Sequence, residues 1–292
     1  MDGALILDKS EGITSHSAVL AVRRLLSEPK IGHLGTLDPF ATGVLVLLLG
    51  KATRLARFYR DREKTYRGTI RFGYSTDSYD RTGRPTSADQ SPTLDAAELH
   101  RLFDAFIGTY LQQPPAVSAK KIGGVPSYRL FRKGRESRPA AVSVSIHNFE
   151  ITSVEGSCVE FTARVSSGTY IRSLAHELGT RMGVGAHLSQ LRRTAVGEFA
   201  ESAAVTFEQL QERVRQEGIP LLRMEDLLPE FPAYALPDVM LQSVLHGNTL
   251  VLETRADWVK LLDEAGTLKS VAERIADNLY HPVIVFNFEN VT

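Results

Sequence analysis

At 292 residues, 43% hydrophobic and 23% charged, the chain has the composition of a globular protein with room for one sizeable core and a small second unit, which excludes a disordered or fibrous class. No apolar run reaches the ~18 residues a membrane-spanning helix needs, and MDGALILDKSEG lacks the basic start and small-residue cleavage site of a secretory leader, so a cytoplasmic location is expected. The net charge of zero hides a division: from Glu201 onward there are 15 acidic and 7 basic residues, so residues 1–200 hold 27 basic and 19 acidic and have the charge to meet a polyanion.

Ala4 to Leu7 predict a short strand leading into a turn at Asp8–Gly12. Thr14 or Ser15 caps the helix that follows, with Val19, Val22, Leu25 and Leu26 on one face. Residues 32–50, GHLGTLDPFATGVLVLLLG, then place Asp38 ahead of Pro39, which biases its backbone toward an extended conformation. Val44–Leu49 reads as a strand buried on both faces, Gly50 closes it, and Ala52–Tyr59 makes one or two helical turns. Tyr66, Gly68, Ile70 and Phe72 alternate with Thr65, Arg67, Thr69 and Arg71, the period of a half-buried strand. Polar Gly73–Gln90, with Asp77 and Asp80, is a loop, and Thr93 starts a helix bearing Leu102, Phe103 and Phe106.

Residues 108–140 read as irregular, rich in proline, glycine and base. Val142–Ile146 and Val159–Val165 are strands, and Cys158 is expected as a small buried apolar residue. Gly168 breaks the second strand, and Tyr170–Leu178 is a helix that Gly179 ends. Thr206 with Gln209 forms a capping box for a helix to about Glu217. Pro220, Pro229, Pro232 and Pro237 make a linker to a terminal unit of roughly 60 residues, marginal alone. That unit has a helix at Val239–Leu245 and strands at Leu250–Glu253, Val259–Leu262 and Val283–Phe286.

One cysteine excludes a disulfide framework and a thiolate metal cluster, and the eight histidines show no HxxH or HExxH spacing. GxGxxG, GxxxxGK[ST] and GxSxG motifs are absent, which leaves carboxylate chemistry or none. Asp38 is either a turn or cap residue or a reacting carboxylate held against a rigid strand. Lys51, Arg54, Arg57, Arg60, Arg62, Lys64, Arg67 and Arg71 form one basic cluster. Lys120, Lys121, Arg129, Arg132, Lys133, Arg135 and Arg138, interleaved with Tyr128 and Phe131, form another. Each is a solvated face or a surface for RNA, where arginines take phosphates and rings take bases. In SSGTYIRSLAHELG, Tyr170 and Arg172 are a core ring and a surface charge, or they reach one cleft where the arginine pairs with an aspartate.

GHLGTLDPFATGVLVLLLGKATR, KTYRGTIRFG, PPAVSAKKIGG and SSGTYIRSLAHELG, in this order over about residues 3–200, resemble the bacterial tRNA pseudouridine synthases of the TruB type, which modify the T-loop uridine at position 55. The resemblance implies an α+β pseudouridine synthase fold: a mixed, largely antiparallel central sheet with flanking helices, and a small β-rich C-terminal domain of the PUA type. On that basis residues 1–230 are the catalytic domain, with a basic RNA-contacting insert at about 108–140, and residues 231–292 the RNA-binding domain. It implies that Asp38 is the catalytic aspartate, that Tyr66 stacks on the uracil and serves proton transfer at C5, and that Arg172 pairs with Asp38. Tyr170 belongs to the same pocket, His33 stacks in the reorganised T-loop, and Lys9, Asp80 and Leu191 line or support the site. Lys120, Arg132, Arg192 and Arg193 are expected from charge and placement as RNA-backbone contacts. The partner implied is tRNA through its T-loop and T-stem, with no membrane, no obligate protein partner and a monomeric enzyme. Such an isomerisation needs no metal, nucleotide or redox cofactor.

Lys9-Ser10-Glu11-Gly12 departs from the Lys-Pro-x-Gly usual in that family, and without the proline a looser loop is expected. A non-catalytic RNA-binding or tRNA-folding protein is the alternative class. A glycoside hydrolase, pairing Asp38 with Asp77 or Asp80, suits the basic surroundings poorly.

Overall fold

The computed structural model describes residues 1–116, 121–122, 125–126, 139–216 and 218–286. Strand β1 (Gly3–Lys9) is followed by a helix, Ser15–Leu26, whose N-cap Thr14 accepts a hydrogen bond from Ser17 N–H at 2.9 Å. Strands β2 (Ile31–His33) and β3 (Thr42–Leu49) flank the Asp38 loop and pair antiparallel with each other. The unbroken apolar run of β3 has a simple cause. Leu45, Leu47 and Leu49 face the Ser15–Leu26 helix, while Val44, Val46 and Leu48 face Leu55, Tyr59 and a second sheet. A strand covered on both sides has no polar face.

Gly50–Leu55 forms a 3-10 turn that continues as the helix Ala56–Tyr59. In β4 (Lys64–Phe72), Tyr66, Ile70 and Phe72 are buried and Arg67 is exposed, as the alternation requires. The next helix starts later than Thr93: Asp95 caps Ala96–Asp104 by accepting from Glu98 N–H at 2.8 Å. Within the segment expected to be irregular lies β5 (Gly108–Gln112), and β6 (Lys121–Ile122) pairs with β7 (Val125–Pro126). β8 (Val142–Glu155) runs well past Ile146 and pairs with β9 (Cys158–Val165), where Cys158 is half-buried rather than enclosed.

The helix Ile171–Met182 does not end at Gly179. Gly179 sits inside it because a Cβ there would lie 2.0 Å from the backbone nitrogen of Ala186, and the left-handed Gly183 ends the helix instead. The return strand β10 (Ala186–Val196) pairs antiparallel with β4 and, through Arg192 and Arg193, parallel with β3. It joins the two halves of the sheet. β11 (Phe199–Ala200) completes a nine-stranded sheet among the described residues, with the path β1-β3-β10-β4-β9-β8-β5. Only the β3–β10 step is parallel. The helices Ala96–Asp104 and Ile171–Met182 cover one face through Leu99, Phe103, Leu174 and Leu178.

The capping box at Thr206 and Gln209 opens the helix Phe207–Arg215. Beyond the proline-rich stretch, β12 (Ala233–Ala235), β13 (Leu250–Val251), β14 (Trp258–Leu262), β15 (Leu268–Ala276) and β16 (Leu279–Val285) make a second sheet, with the helix Asp238–Leu245 against it. This sheet shares a core with the first: Leu268, Val271, Ile284 and Phe286 pack with Val44, Val46, Leu55 and Tyr59. Lys260 Nζ also donates to the carbonyls of Glu225 (2.8 Å) and Leu227 (2.9 Å).

Candidate active site

The Asp38 turn is clamped from the N-terminal segment. Ser15 Oγ accepts from Leu37 N–H at 2.8 Å and donates to the Leu37 carbonyl at 3.1 Å. On the far side, Gly12 N–H (2.8 Å) and Lys9 Nζ (3.3 Å) both reach the Pro39 carbonyl. Lys9 donates further to Ser10 O (2.9 Å) and Ile13 O (2.8 Å), and Glu11 pairs with Arg81. The loop expected to be loose without its proline is therefore tied at several points. Burial pulls the Lys9 ammonium down to about 8, with the Asp38 charge opposing that shift.

Arg172, one residue inside its helix, meets Asp38 as a fork: Nη2 donates to Oδ1 at 3.0 Å and Nε lies 2.9 Å from Oδ2. Its third nitrogen, Nη1, donates to the Ser78 carbonyl at 3.0 Å and to Asp80 Oδ2 at 3.3 Å. The side chains of Arg172 and Asp80 are each 5% exposed, whereas that of Asp38 keeps 33% of its surface. The free edge of this network is thus Asp38. Asp80 is fixed in turn, its Oδ1 accepting from Ser78 Oγ (2.8 Å), Thr82 N–H (2.9 Å) and Thr82 Oγ1 (2.6 Å). Burial raises the Asp38 carboxyl above its ordinary value; Arg172 opposes that most strongly, Asp80 adds to it, and Lys9 opposes it more weakly. With both carboxylates ionised, the two negative charges face two positive ones, and the group is balanced.

Asp38 opens into a cavity of about 680 Å³ whose lining includes His33, Tyr66, Tyr170, Arg172 and Leu191. The sequence-predicted pocket residues therefore converge, with Lys9 and Asp80 directly behind them. Tyr66 is 8% exposed and comes from β4. Tyr170 stands at the N-cap of the Arg172 helix, and its backbone is gripped both ways by the buried Gln112 side chain. Tyr170 N–H donates to Gln112 Oε1 (2.7 Å), and Gln112 Nε2 donates to Tyr170 O (3.1 Å). Sequence reasoning missed Gln112 and Ser15, polar residues whose partners lie 58 and 22 positions away. A buried polar residue beside Pro114 and Pro115 carries no sequence signal beyond a loop.

One expected backbone contact is corrected. Arg193 is 1% exposed, and its guanidinium donates to the carbonyls of Val44 (2.8 Å), Gly35 (3.1 Å) and Thr36 (3.5 Å). It braces the approach to Asp38. Arg192 grips Asp8 at 2.9 and 2.7 Å and Glu201 at 2.8 Å, and lines a separate cavity of about 610 Å³ with Phe40 and Arg67. Lys120 and Arg132 lie outside the described residues.

The first basic cluster divides by face. Arg54, Arg57, Arg60 and Lys64 line the Asp38 cavity. Arg67 and Arg71 point to the other side of β4, where Glu201 (3.3 Å) and Asp89 (2.6 Å) meet them, and Arg62 pairs with Glu230. Lys64 is buried, donates to Ser167 Oγ at 2.9 Å, and burial lowers it to about 8.

Residues 23–171 match the family model for the TruB family pseudouridylate synthase N-terminal domain, and residues 172–228 match that for the tRNA pseudouridylate synthase B C-terminal domain. The chain belongs to the TruB family. It is 42% identical to a tRNA pseudouridine synthase B of Solibacter usitatus (strain Ellin6076), over 98% of this chain and all of that one. It is 40% identical to the protein of the same name from Thermobifida fusca (strain YX), over 98% of both. Among solved structures, the fold matches that of a Cbf5-Nop10-Gar1 complex with a TM-score of 0.72 and 26% identity, over 98% of this chain and 84% of that one. It also matches the fold in an H/ACA RNP bound to a substrate RNA, with a TM-score of 0.73 and 24% identity, over 99% of this chain and 86% of that one. The seam between the two TruB family models falls inside one helix. The cavity draws on both sides of it: Asp38, Tyr66 and Tyr170 from the first, Arg172 and Leu191 from the second.

Proposed function

We propose that this TruB family chain isomerises uridine to pseudouridine at position 55 in the T-loop of tRNA, with Asp38 as the reacting carboxylate. The observation that carries this reading is the Arg172 fork on Asp38, at 3.0 and 2.9 Å, at the mouth of a cavity walled by Tyr66 and Leu191. The names of the relatives support the tRNA substrate.

The target base leaves its stack and enters the cavity, which costs a few kcal/mol. His33, which lines the cavity, fills the vacated space and offsets part of that cost. The N1–C1′ bond then breaks, the base rotates, and C5–C1′ forms; C5 gives up its proton and N1 ends protonated. Asp38 serves either as nucleophile or as base at C2′, and both roles need it ionised. Arg172 supplies that condition while pinning the carboxylate rotamer. Tyr66 covers the uracil and stands near the proton that leaves C5.

We also place the catalytic unit at 1–230 and an RNA-binding unit at 231–292, acting as a cytoplasmic monomer without an obligate protein partner. The second sheet, 233–285, and the boundary of the second family model at 228 support that division.

The decisive experiment is Asp38→Asn, assayed by tritium release from C5-labelled uridine in T-loop RNA. Release is expected to vanish while RNA affinity stays within about threefold, since the amide keeps the shape and loses the charge. Turnover by this variant would sink the reading.

A further inference from the structure

Tyr79 and His176 take no part in the proposed chemistry, yet they bracket Arg172. Tyr79 lies between Ser78 and Asp80, whose carbonyl and carboxylate both receive Arg172 Nη1, at 3.0 and 3.3 Å. Its φ is +64°, a left-handed conformation uncommon for a bulky side chain and natural to glycine or asparagine. Such a residue persists only where its surroundings over-determine it. The surroundings here do so: Tyr79 N–H donates to Thr76 O at 3.2 Å, and Leu188 N–H donates to Tyr79 O at 3.0 Å. The Tyr79 ring lies parallel to that of His176, with centroids 3.8 Å apart and planes 6° apart. His176 is four residues beyond Arg172, on the same face of the same helix.

The loop 78–80 therefore meets this helix at two successive rungs. At one, the guanidinium takes the Ser78 carbonyl and the Asp80 carboxylate; at the next, one ring lies flat on another. The backbone of the loop is tied to β10, with Leu188 N–H donating to Tyr79 O and Arg81 N–H to Leu188 O, both at 3.0 Å, and towards the helix itself the guanidinium is a flexible tie. A parallel stack between two rings, each with few rotatable bonds, fixes both distance and angle. Because Nη1 is held by the loop and Nε and Nη2 hold Asp38, the register of the loop sets the position of the reacting carboxylate.

We propose that Tyr79 and His176 are a positioning pair: their stack keeps the Asp80 turn in register with the Arg172 helix, so that one guanidinium meets Asp38 and Asp80 together. The proposal rests on the isomerase reading above and adds residues that act through Arg172 rather than on the substrate.

The test compares Tyr79→Gly, which accepts φ +64° without strain, with Tyr79→Phe, which keeps the ring. Misplacement of a reacting group by about 1 Å costs on the order of 100-fold. Tyr79→Gly is accordingly expected to lower kcat by about 10- to 100-fold with KM for T-loop RNA within about threefold, and Tyr79→Phe to restore kcat. His176→Ala should match Tyr79→Gly, His176→Phe should restore, and the double variant Tyr79→Gly/His176→Ala should be no slower than either single one. The acid limb set by Asp38, which faces Arg172, Asp80 and Lys9, should move to higher pH in Tyr79→Gly.

An activity-free readout is hydrogen exchange at the Arg172 Nη hydrogens, which donate to Ser78, Asp80 and Asp38, in the free, arginine-labelled protein; it is expected to quicken in Tyr79→Gly and His176→Ala and not in the Phe variants. Wild-type kcat in Tyr79→Gly, multiplicative losses in the double variant, or failure of both Phe variants to restore kcat would overturn the pair. If Tyr79→Gly does not fold, the two His176 variants decide by the same outcomes. Absence of tritium release from the wild-type protein would overturn the isomerase reading instead, leaving the exchange measurement to judge the pair.

Discussion

Asp38 is the least enclosed member of a four-charge group, and its protonation state reflects a contest among its neighbours. Burial and the like charge of Asp80 raise it, while Arg172 and, more weakly, Lys9 lower it. The outcome lies above the ordinary carboxylate value of 3.8. A reaction that needs the ionised form gains rate as pH rises through that raised value, so the acid limb of kcat/KM is expected above pH 3.8. Arg172→Ala removes the strongest opposing influence and should push the limb higher still. Because the fork is lost as well, turnover should fall by about 10²-fold or more with RNA affinity within about threefold. Arg172→Lys keeps a charge and loses the planar fork, so it should bring the limb part of the way back without restoring the rate. pH–rate profiles of the three proteins check this, and an Arg172→Ala enzyme near the normal rate would refute the fork's role.

At the scale of elements, β5 contributes to the site through a partner distant in sequence. Gln112 at its end is fully buried and satisfies both backbone groups of Tyr170, at 2.7 and 3.1 Å, just where the Arg172 helix begins. Gln112→Ala removes the acceptor of the Tyr170 N–H, whereas the Tyr170 carbonyl keeps the Leu174 N–H at 3.2 Å, so the expected cost is about 1–3 kcal/mol. A thermal or denaturant midpoint should drop accordingly, and turnover should fall with it because the helix start carries Arg172. An unchanged midpoint would show the clamp to be dispensable. What could be seen in the sequence follows the same division between local and distant causes. Thr14, the Thr206–Gln209 box and the alternation of β4 are signals carried within a few residues, and the structure bears them out. β10 went unseen because register shifts at Leu188/Gln190 and Arg193/Ala195 break its alternation. Gly179 looked like a helix stop because its real reason, the approach of Ala186, comes from a neighbouring strand. Among candidate site residues, Asp38, Tyr66 and Arg172 each stand in a quoted motif, and the fold brings the three to one cavity. Arg193 was misread because a buried arginine that serves three carbonyls looks in sequence like any surface charge.

Across the whole molecule the two sheets differ in charge, and this bears on how RNA is held. Of the four basic residues in the second sheet and its loops, Lys260 is buried on two carbonyls, Lys269 faces Asp263 at 3.1 Å, and Arg274 faces Asp257 at 2.6 Å. Neither Lys260 nor Arg255 has an ion-pair partner among the described residues, and of the two only Lys260 is buried. A basic face is therefore missing from the described part of that sheet. What the sheet does offer is support for the cavity wall. Trp258 packs edge-on to Phe58 at 4.9 Å, and Arg57, a cavity-lining cation with no carboxylate partner among the described residues, lies over both rings at 5.5 and 6.0 Å. Arg54 donates to the Val285 carbonyl from the same wall. Each phosphate neutralised by a cation contributes about 0.7 to 0.9 to the slope of log affinity against log salt. Arg57→Ala should lower the slope for T-loop RNA by about that amount, whereas Arg255→Ala and Arg274→Ala should leave it unchanged. Trp258→Ala removes no charge, yet it should weaken binding and reduce the slope in the same direction, because it takes away the surface on which Arg57 rests. Trp258 is the single tryptophan of the chain, so its intrinsic fluorescence follows binding at this wall directly. A slope that falls with Arg255 or Arg274 and not with Arg57 would assign the binding charge to the second sheet itself.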